Sequence, residues 1–256
     1  MLLRRFIEHV RKQPWTAITI EFLIVVLGVF VASQVTEWSS SQADRRLGRE
    51  YTARLLTDLE QDLQNRRVLI AYYDAVYASA ERSDALLRDS NADPQALVVN
   101  AYRATEYAFY PATRSTWDTI VSAGDTRLLP QRAVSSGLAD YFANDATQDI
   151  LDEMRQTAYR QRVRSLLPHH VQEAIRAQCG DVRNDAQEVV GFRNDCELGL
   201  DGATLRSAAQ RLQRDPAVLD DLAYQFSALV AARANLRGDI VFLNGAIAAL
   251  HPPGRE

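Results

Sequence analysis

His169, His170 and Glu173 are the residues in this chain whose types and spacing come nearest to a metal or catalytic site. On a helix this spacing brings two imidazoles and a carboxylate to one side, and both groups are common zinc ligands. Because such trios are also frequent on exposed helices, we expect no metal there. The motifs GxSxG, GxxxxGK[ST] and HExxH, which mark standard catalytic and phosphate-binding sites, do not occur in the sequence. We therefore predict no cofactor and no enzymatic activity.

Paired acids and a group of aromatic rings are the other candidates for chemistry. Asp58 with Asp62, and Asp220 with Asp221, have the residue types of an acid–base pair. On helical faces such acids are usually solvated, and this is what we expect. The rings within residues 107–110 either line a pocket or pack beside a helix end, and we favour packing. An enzyme with an unrecognised site around these rings and the histidines is kept as an alternative.

The two cysteines, Cys179 and Cys196, flank a polar stretch that contains several Asp, Asn and Gly residues. An even pair in a loop is typical of a disulfide in an oxidising compartment. Such a bridge stabilises a fold by about 3 kcal/mol on the chain-entropy estimate. Two free thiols are the alternative, and a metal site is disfavoured because no histidine lies between the cysteines. We predict the disulfide.

The element that must position everything else is the apolar stretch 15–38. Between residues 17 and 35 the only charged residue is Glu21, and roughly 20 apolar residues suffice to cross a bilayer core. Trp15 and Trp38 stand at its two ends, where Trp is favoured at membrane interfaces. We predict a transmembrane helix with these two residues as interface anchors and the lipid bilayer as partner. A cleaved signal peptide is the alternative, although this apolar region is too long and contains an acid.

One face of the predicted span carries its unusual residues. Steps of seven, four and three residues keep four positions on that face: Glu21, Gly28, Ala32 and Val35. Gly28 and Ala32 form a small-xxx-small site, which favours close helix packing in membranes. We expect this face to bind a transmembrane partner helix or a second copy of the chain. The alternative is that Glu21 is protonated or reaches the interface, and that Gly28 has no special role.

Basic residues cluster immediately before the span. They are Arg4, Arg5, Arg11 and Lys12, whereas the first basic residue after the span is Arg45. By the positive-inside tendency the N-terminus is cytoplasmic and the remainder extracytoplasmic. The chain then has a cytoplasmic basic amphipathic segment, a transmembrane helix, an extracytoplasmic helical domain and a tail, at 1–14, 15–38, 39–250 and 251–256.

Beyond the span, apolar residues recur at every third or fourth position, which is helical spacing. The pattern is longest over about residues 47–87 and 216–250, and we expect a brief break at the serine cluster 39–41. Asp93 with Pro94 predicts a helix start, and the segment from Ser115 to Gly124 predicts a capped short helix. No convincing strand pattern occurs. The predicted fold is all-α, with one N-terminal transmembrane helix followed by an extramembrane bundle in which two long helices pair.

Composition limits the possible partners. The chain is 47% hydrophobic and 24% charged, as expected for a folded protein. Its formal net charge of −4 lacks the basic excess that nucleic-acid binding requires. We predict no nucleic-acid partner.

The opening of the chain resembles a family of uncharacterised bacterial single-span membrane proteins. The resemblance rests on Trp15, the pair Glu21 and Phe22, the run 25–30, Gln34 and Trp38, and on the segment 115–129. It implies anchoring in the bacterial inner membrane and implies no activity, because none is established for the family.

These observations favour a membrane-anchored helical module that binds an unidentified ligand or partner on the extracytoplasmic side. A structural scaffold or spacer of the envelope is one alternative, and an anchored enzyme is the other.

Overall fold

The computed structural model describes the backbone of residues 15–251 and the side chains of residues 19–251. The cytoplasmic segment predicted for 1–14 and residues 252–256 of the predicted tail lie outside the described residues. The chain divides into two compact units, Met1–Tyr51 and Thr52–Glu256. The first unit holds the apolar stretch, and the second holds the helical domain.

Helices dominate the described chain. They are α1 (Trp15–Arg88), α2 (Pro94–Arg103), α3 (Ser115–Ala123), a 3₁₀ turn (Thr126–Leu128), α4 (Gln131–Val134), α5 (Leu138–Ala143), α6 (Ala146–Gln156), α7 (Ala158–Leu166), α8 (His169–Cys179), α9 (Gly202–Arg214) and α10 (Ala217–Leu250). Two strands, β1 (Asp181–Arg183) and β2 (Val189–Phe192), pair antiparallel between α8 and α9. This hairpin is the only sheet within residues 15–251, and the all-α prediction is confirmed. The strands are too short to give a recognisable alternating pattern.

Helix α1 continues for 74 residues through the serine cluster 39–41, where we expected a break. That expectation is wrong because the helix accommodates its serines. The Ser40 hydroxyl donates to the Glu37 carbonyl at 3.0 Å, which satisfies it within the helix. No proline interrupts the sequence of α1, so helical hydrogen bonding continues to Arg88.

Local chemistry sets several of the other helix ends. The Asp93 side chain caps α2, and Pro94 takes the first helical position, as predicted. Gly124 ends α3 in the left-handed conformation, at φ 73°, which favours glycine. The predicted cap at Ser115 is wrong. Arg114 holds the cap position without a side-chain hydrogen bond, and its carbonyl already accepts the first intrahelical bond.

The two long helices pair within the second unit, as predicted. The part of α1 that follows residue 52 runs antiparallel to α10, because contact positions rise along one helix as they fall along the other. The contacts are Arg66 Nε to Asp239 Oδ2 at 2.9 Å, Asp74 Oδ1 to Arg233 Nη2 at 2.6 Å, and the Tyr77 and Phe226 rings with centres 5.4 Å apart.

The core of the second unit surrounds α2, in which every residue from Leu97 to Arg103 is buried. Helix α2 packs against α7, α8 and α9, while α10 packs against α4, α6 and α7. Tyr72, Tyr73 and Tyr159 are fully buried in the same core. A helix that is buried on all sides must find partners inside the protein for its polar side chains. This requirement applies most strongly to Arg103.

Candidate functional site

Helix α1 contains the described segment that is long and apolar enough to cross a membrane. None of the side chains in the apolar part of this segment is buried. A core helix of a soluble protein passes the same length and composition test but is mostly buried. Exposure therefore favours a membrane span over a core helix, whereas a signal sequence would pass the same test.

The residues predicted to form a helix-packing face are all exposed on α1: Glu21, Gly28, Ala32 and Val35. A Cβ built at Gly28 meets no atom within 4 Å, so this position has room for a neighbouring helix. Trp38 is 67% exposed, and the side chain of Trp15 lies outside the described residues. The packing face and the interface anchors stay predictions.

Cys179 and Cys196 are joined by a disulfide, with their Cα atoms 5.3 Å apart. Cys179 is fully buried at the end of α8. The bridge closes the loop that contains β1 and β2, so it fastens the hairpin to α8.

His169 and His170 lie on the exposed surface of α8. His169 Nε2 lies 3.3 Å from Glu173 Oε1 on the exposed surface of α8, and His170 is exposed beside it. Across the side chains that the structure describes, no group of three or more His, Cys, Asp or Glu residues is placed to hold a metal ion. The trio offers one ordinary surface pair.

The aromatic residues that follow α2 pack against neighbouring elements. The Tyr110 hydroxyl accepts the N–H of Val189 at 2.5 Å. The guanidinium of Arg160 lies 4.7 Å from the centre of the Tyr107 ring. These contacts tie the segment after α2 to the hairpin and to α7, which is the packing role that we favoured.

Asp62 is fully buried, although we expected it to be solvated. Its carboxylate accepts the N–H and the hydroxyl of Thr113 and the hydroxyl of Tyr141, the shortest at 2.8 Å. The expectation is wrong because Asp62 lies on the core side of α1, where burial raises the pKa of its carboxyl. Asp221 also has a partner, since Arg162 Nε donates to it at 2.5 Å.

Arg66 is fully buried one helical turn beyond Asp62. Its three guanidinium nitrogens donate to Asp239 Oδ2 at 2.9 Å, to the Tyr110 carbonyl at 3.0 Å and to the Tyr141 hydroxyl at 3.2 Å, and Asp145 lies 3.7 Å away. We call Arg66, Asp62, Tyr141, Asp145 and Asp239 the Arg66 cluster. Every nitrogen of its cation has a partner in the protein, which is typical of a structural network.

A cavity of about 260 Å³ lies among the C-terminal end of α2, helix α8 and the hairpin. We call it the Arg103 cavity, after its most buried charged residue. Its lining includes Tyr102, Arg103, Glu106, Arg176, Asp181 and Phe192. Drug-sized ligands occupy pockets of roughly 300–1,000 Å³, so this cavity suits a smaller molecule.

Arg103 is only 7% exposed, and its hydrogen-bond acceptors are two backbone carbonyls and, at 3.7 Å, the Cys196 sulfur. Nε and Nη2 donate to the Cys179 carbonyl at 3.2 and 2.8 Å, and Nη2 also donates to the Arg193 carbonyl at 2.5 Å. The third nitrogen, Nη1, donates no hydrogen bond within the described chain and is not sealed from solvent. Burial lowers the pKa of Arg103, and repulsion from Arg82 lowers it further. The guanidinium forms no ion pair with any described carboxylate.

Asp181 begins β1 on another wall of the cavity. Its Oδ1 accepts the Tyr72 hydroxyl at 3.1 Å, and it forms no ion pair with a described residue. Desolvation raises the pKa of Asp181, and repulsion from Glu106 adds to this effect. Burial also raises the pKa of Tyr72, so its hydroxyl remains a neutral donor.

The remaining polar wall is held rigidly. Glu106 Oε1 accepts from Arg164 Nη2 at 2.8 Å, so Arg164 neutralises the charge of Glu106. The Arg164 guanidinium lies 3.5 Å from the centre of the Tyr102 ring. The Tyr102 hydroxyl accepts from Arg176 Nε at 2.6 Å, which aims an otherwise exposed cation at the cavity. The arrangement offers fixed cations and a fixed carboxylate for ligand binding.

Sequence reasoning missed the residues of this cavity. Arg103 follows a run in which both faces of α2 are apolar, and a helix that is apolar all round is expected to be buried. A buried arginine in such a helix was the available signal. The position of Asp181 could not be predicted from the sequence. Asp181 reaches the same cavity as Arg103 only through the path of the chain along α8 and the disulfide.

Comparison with known proteins adds no relative. The chain matches no protein-family model, no curated protein sequence and no solved structure. The family resemblance of the opening segment therefore stays a prediction.

Proposed function

We propose that this chain is a membrane-anchored helical module that binds a small charged molecule in the Arg103 cavity, on the extracytoplasmic side of the bacterial inner membrane. The observation that carries the proposal is the burial of the Arg103 guanidinium without a described counterion. This guanidinium lies on the cavity wall, it forms no ion pair with a described carboxylate, and its Nη1 donates no hydrogen bond to a described residue.

Burying a guanidinium without a counterion lowers the stability of the folded state. A buried ion without a counterion loses its hydration and regains only part of that free energy from carbonyl dipoles. The same domain fully compensates Arg66 with carboxylates. A bound ligand that carries negative charge would complete Arg103 in the same way, which supports a binding role for the cavity.

Anchoring rests on the exposed apolar part of α1. Side chains such as Phe22, Val29 and Phe30 are each at least 60% exposed there. An exposed apolar surface of this extent is expected in lipid or in contact with other protein, not in water. The predicted orientation rests on the basic residues before the span and on the disulfide, which oxidising compartments favour.

The binding proposal is tested by the thermal unfolding of the full chain in detergent micelles. Inorganic phosphate, acetate and each of the standard L-amino acids are added separately. A ligand that binds only the folded state stabilises it by RT ln(1 + [L]/Kd), or about 2.7 kcal/mol at a hundredfold excess over Kd. We expect at least one of these molecules to raise the unfolding temperature with increasing concentration. Stabilisation by none of them would refute the proposal.

The orientation is tested with a single new thiol at Ser90, which is exposed between α1 and α2. A membrane-impermeant maleimide should label Ser90→Cys in intact cells that have a permeable outer membrane. The unmodified chain is the control, because its cysteines are in a disulfide. Labelling that appears only after lysis would place the domain in the cytoplasm.

The packing face of α1 is tested by Gly28→Ile. No described atom lies near a Cβ at this position, so the substitution leaves the chain itself unstrained and blocks only close approach by another helix. We expect it to reduce association at least severalfold in a membrane two-hybrid assay. Val26→Ile, on the opposite side of the helix, is the matched control. Equal association of the two variants would contradict the predicted face.

A further inference from the structure

We infer that the ligand of the Arg103 cavity is a zwitterion of the α-amino acid class, with its carboxylate bound by Arg103 and Arg176 and its ammonium group bound by Asp181. This inference rests on the proposed function and names the chemistry of the ligand.

The cationic part of the cavity has donors to spare. Arg103 Nη1 donates no hydrogen bond within residues 19–251. Arg176 uses Nε on the Tyr102 hydroxyl, and its two terminal nitrogens donate to no side chain or carbonyl that the structure describes. A guanidinium with free N–H groups is suited to bind a carboxylate, because its planar donors match the two carboxylate oxygens.

The anionic part has an acceptor to spare. The Tyr72 hydroxyl uses Oδ1 of Asp181, whereas Oδ2 accepts no hydrogen bond from a described residue. Glu106 is already paired with Arg164 at 2.8 Å. Asp181 is therefore the carboxylate on this cavity whose charge is left for a ligand.

The two unpaired charges share the cavity without touching each other. Arg103 and Asp181 influence each other electrostatically but form no salt bridge. A simple anion at Arg103 would be repelled by Asp181, and a simple cation at Asp181 would be repelled by Arg103 and Arg176. A molecule that carries both charges gains attraction at each end. An α-amino acid is the smallest common molecule of this type.

The rest of the cavity is compatible with an amino-acid side chain. Phe192 and Ile175 supply apolar surface beside the charged groups. The Arg103 guanidinium lies 5.1 Å from the centre of the Phe192 ring, so the apolar wall adjoins the carboxylate site. A small apolar or polar side chain is expected to lie against this wall.

The test is calorimetric titration of the full chain in micelles with the standard L-amino acids, followed by two derivatives of each binder. The N-acetyl derivative lacks the ammonium group, and the amide derivative lacks the carboxylate. We expect each derivative to bind at least tenfold more weakly than the free amino acid, since each loses one charged contact, and tenfold corresponds to about 1.4 kcal/mol.

Asp181→Asn distinguishes the proposal that the cavity binds a ligand from the proposal that Asp181 binds the ammonium group of an amino acid. The asparagine keeps a side-chain oxygen that can accept the Tyr72 hydroxyl, so we expect the variant to unfold at nearly the same temperature and to bind the free amino acid at least tenfold more weakly. Asp185→Asn, in the exposed turn of the same hairpin, is the control.

The inference is overturned if the N-acetyl derivative or inorganic phosphate binds as tightly as the free amino acid. The proposed function survives that result, because the cavity still binds a ligand. If neither phosphate, acetate nor any amino acid binds, both proposals fail.

Discussion

The second unit contains two buried arginines with opposite surroundings. Arg66 faces three carboxylates and uses all three of its nitrogens within the protein. Arg103 faces backbone carbonyls, stacks on Phe192 and leaves one nitrogen at a cavity. The side chains are chemically identical, so the difference lies in what the surrounding chain supplies.

This difference separates two uses of a buried charge. A closed network such as the Arg66 cluster fixes the relative positions of α1 and α10 within the domain, and it has no capacity left for a ligand. A buried cation without a described counterion, such as Arg103, lowers the stability of the fold. It can still bind an anionic group from solution. Substitutions at the two arginines should therefore have different effects on stability and binding.

The largest effect is expected for Arg66→Met in the Arg66 cluster. Removing the cation takes away the ion-pair partner of the half-buried Asp239 and the positive charge beside the fully buried Asp62, and breaking such a pair typically costs about 3–5 kcal/mol. Denaturant unfolding of the full chain in micelles measures this change.

Arg67→Met is the matched control, because Arg67 is exposed on the next position of α1. We expect that variant to change the free energy of unfolding by no more than about 0.5 kcal/mol. Similar stabilities for the Arg66 and Arg67 variants would show that the cluster is not structural.

A smaller effect on stability is expected for Arg103→Met. The variant loses hydrogen bonds to the Cys179 and Arg193 carbonyls, but it breaks no ion pair with a described carboxylate. We therefore expect a loss of about 1–2 kcal/mol in the same unfolding assay, together with loss of ligand binding. A loss as large as that of Arg66→Met would erase the proposed contrast between the two sites.

The smallest effect is expected from pH. Burial raises the pKa of Asp62 and Asp239 above their values in the unfolded chain. At a pH between the unfolded and the folded pKa, the folded state therefore binds more protons than the unfolded state. Stability contributed by the cluster therefore falls as pH rises through the raised pKa. Arg66→Met removes the attraction that opposes this rise.

Acidifying from about pH 7.5 to about pH 5 should consequently restore more stability to Arg66→Met than to the unmodified chain. Denaturant unfolding at the two pH values gives the comparison. An equal response of the two proteins would mean that Arg66 does not control these carboxyls.

Local chemistry predicted much of the fold. Periodic apolar residues predicted the two long helices and their pairing, and Asp93, Pro94 and Gly124 fixed helix ends through short-range geometry. Such features are predictable because each depends on residues within one or two helical turns. The break expected at the serine cluster does not occur, because serine disfavours a helix only weakly and the neighbouring turns favour helix strongly enough to continue through it.

The site was not predictable in the same way. Asp62 looks like a surface acid in isolation, and its burial depends on Thr113 and Tyr141, which come from other parts of the chain. Arg103 and Asp181 meet only because α8 and the disulfide return the chain to the end of α2. Long-range juxtapositions of this kind leave no periodic trace in one sequence.

The most direct measurement of this contrast is the ¹⁵N spectrum of the arginine side chains of the full chain in micelles, recorded during titration with the standard L-amino acids. The account predicts that the Arg103 guanidinium resonances shift and saturate with a binding amino acid, while those of Arg66 stay in place. Resonances of Arg103 that remain unchanged with every amino acid, or that move only together with those of Arg66, would contradict it.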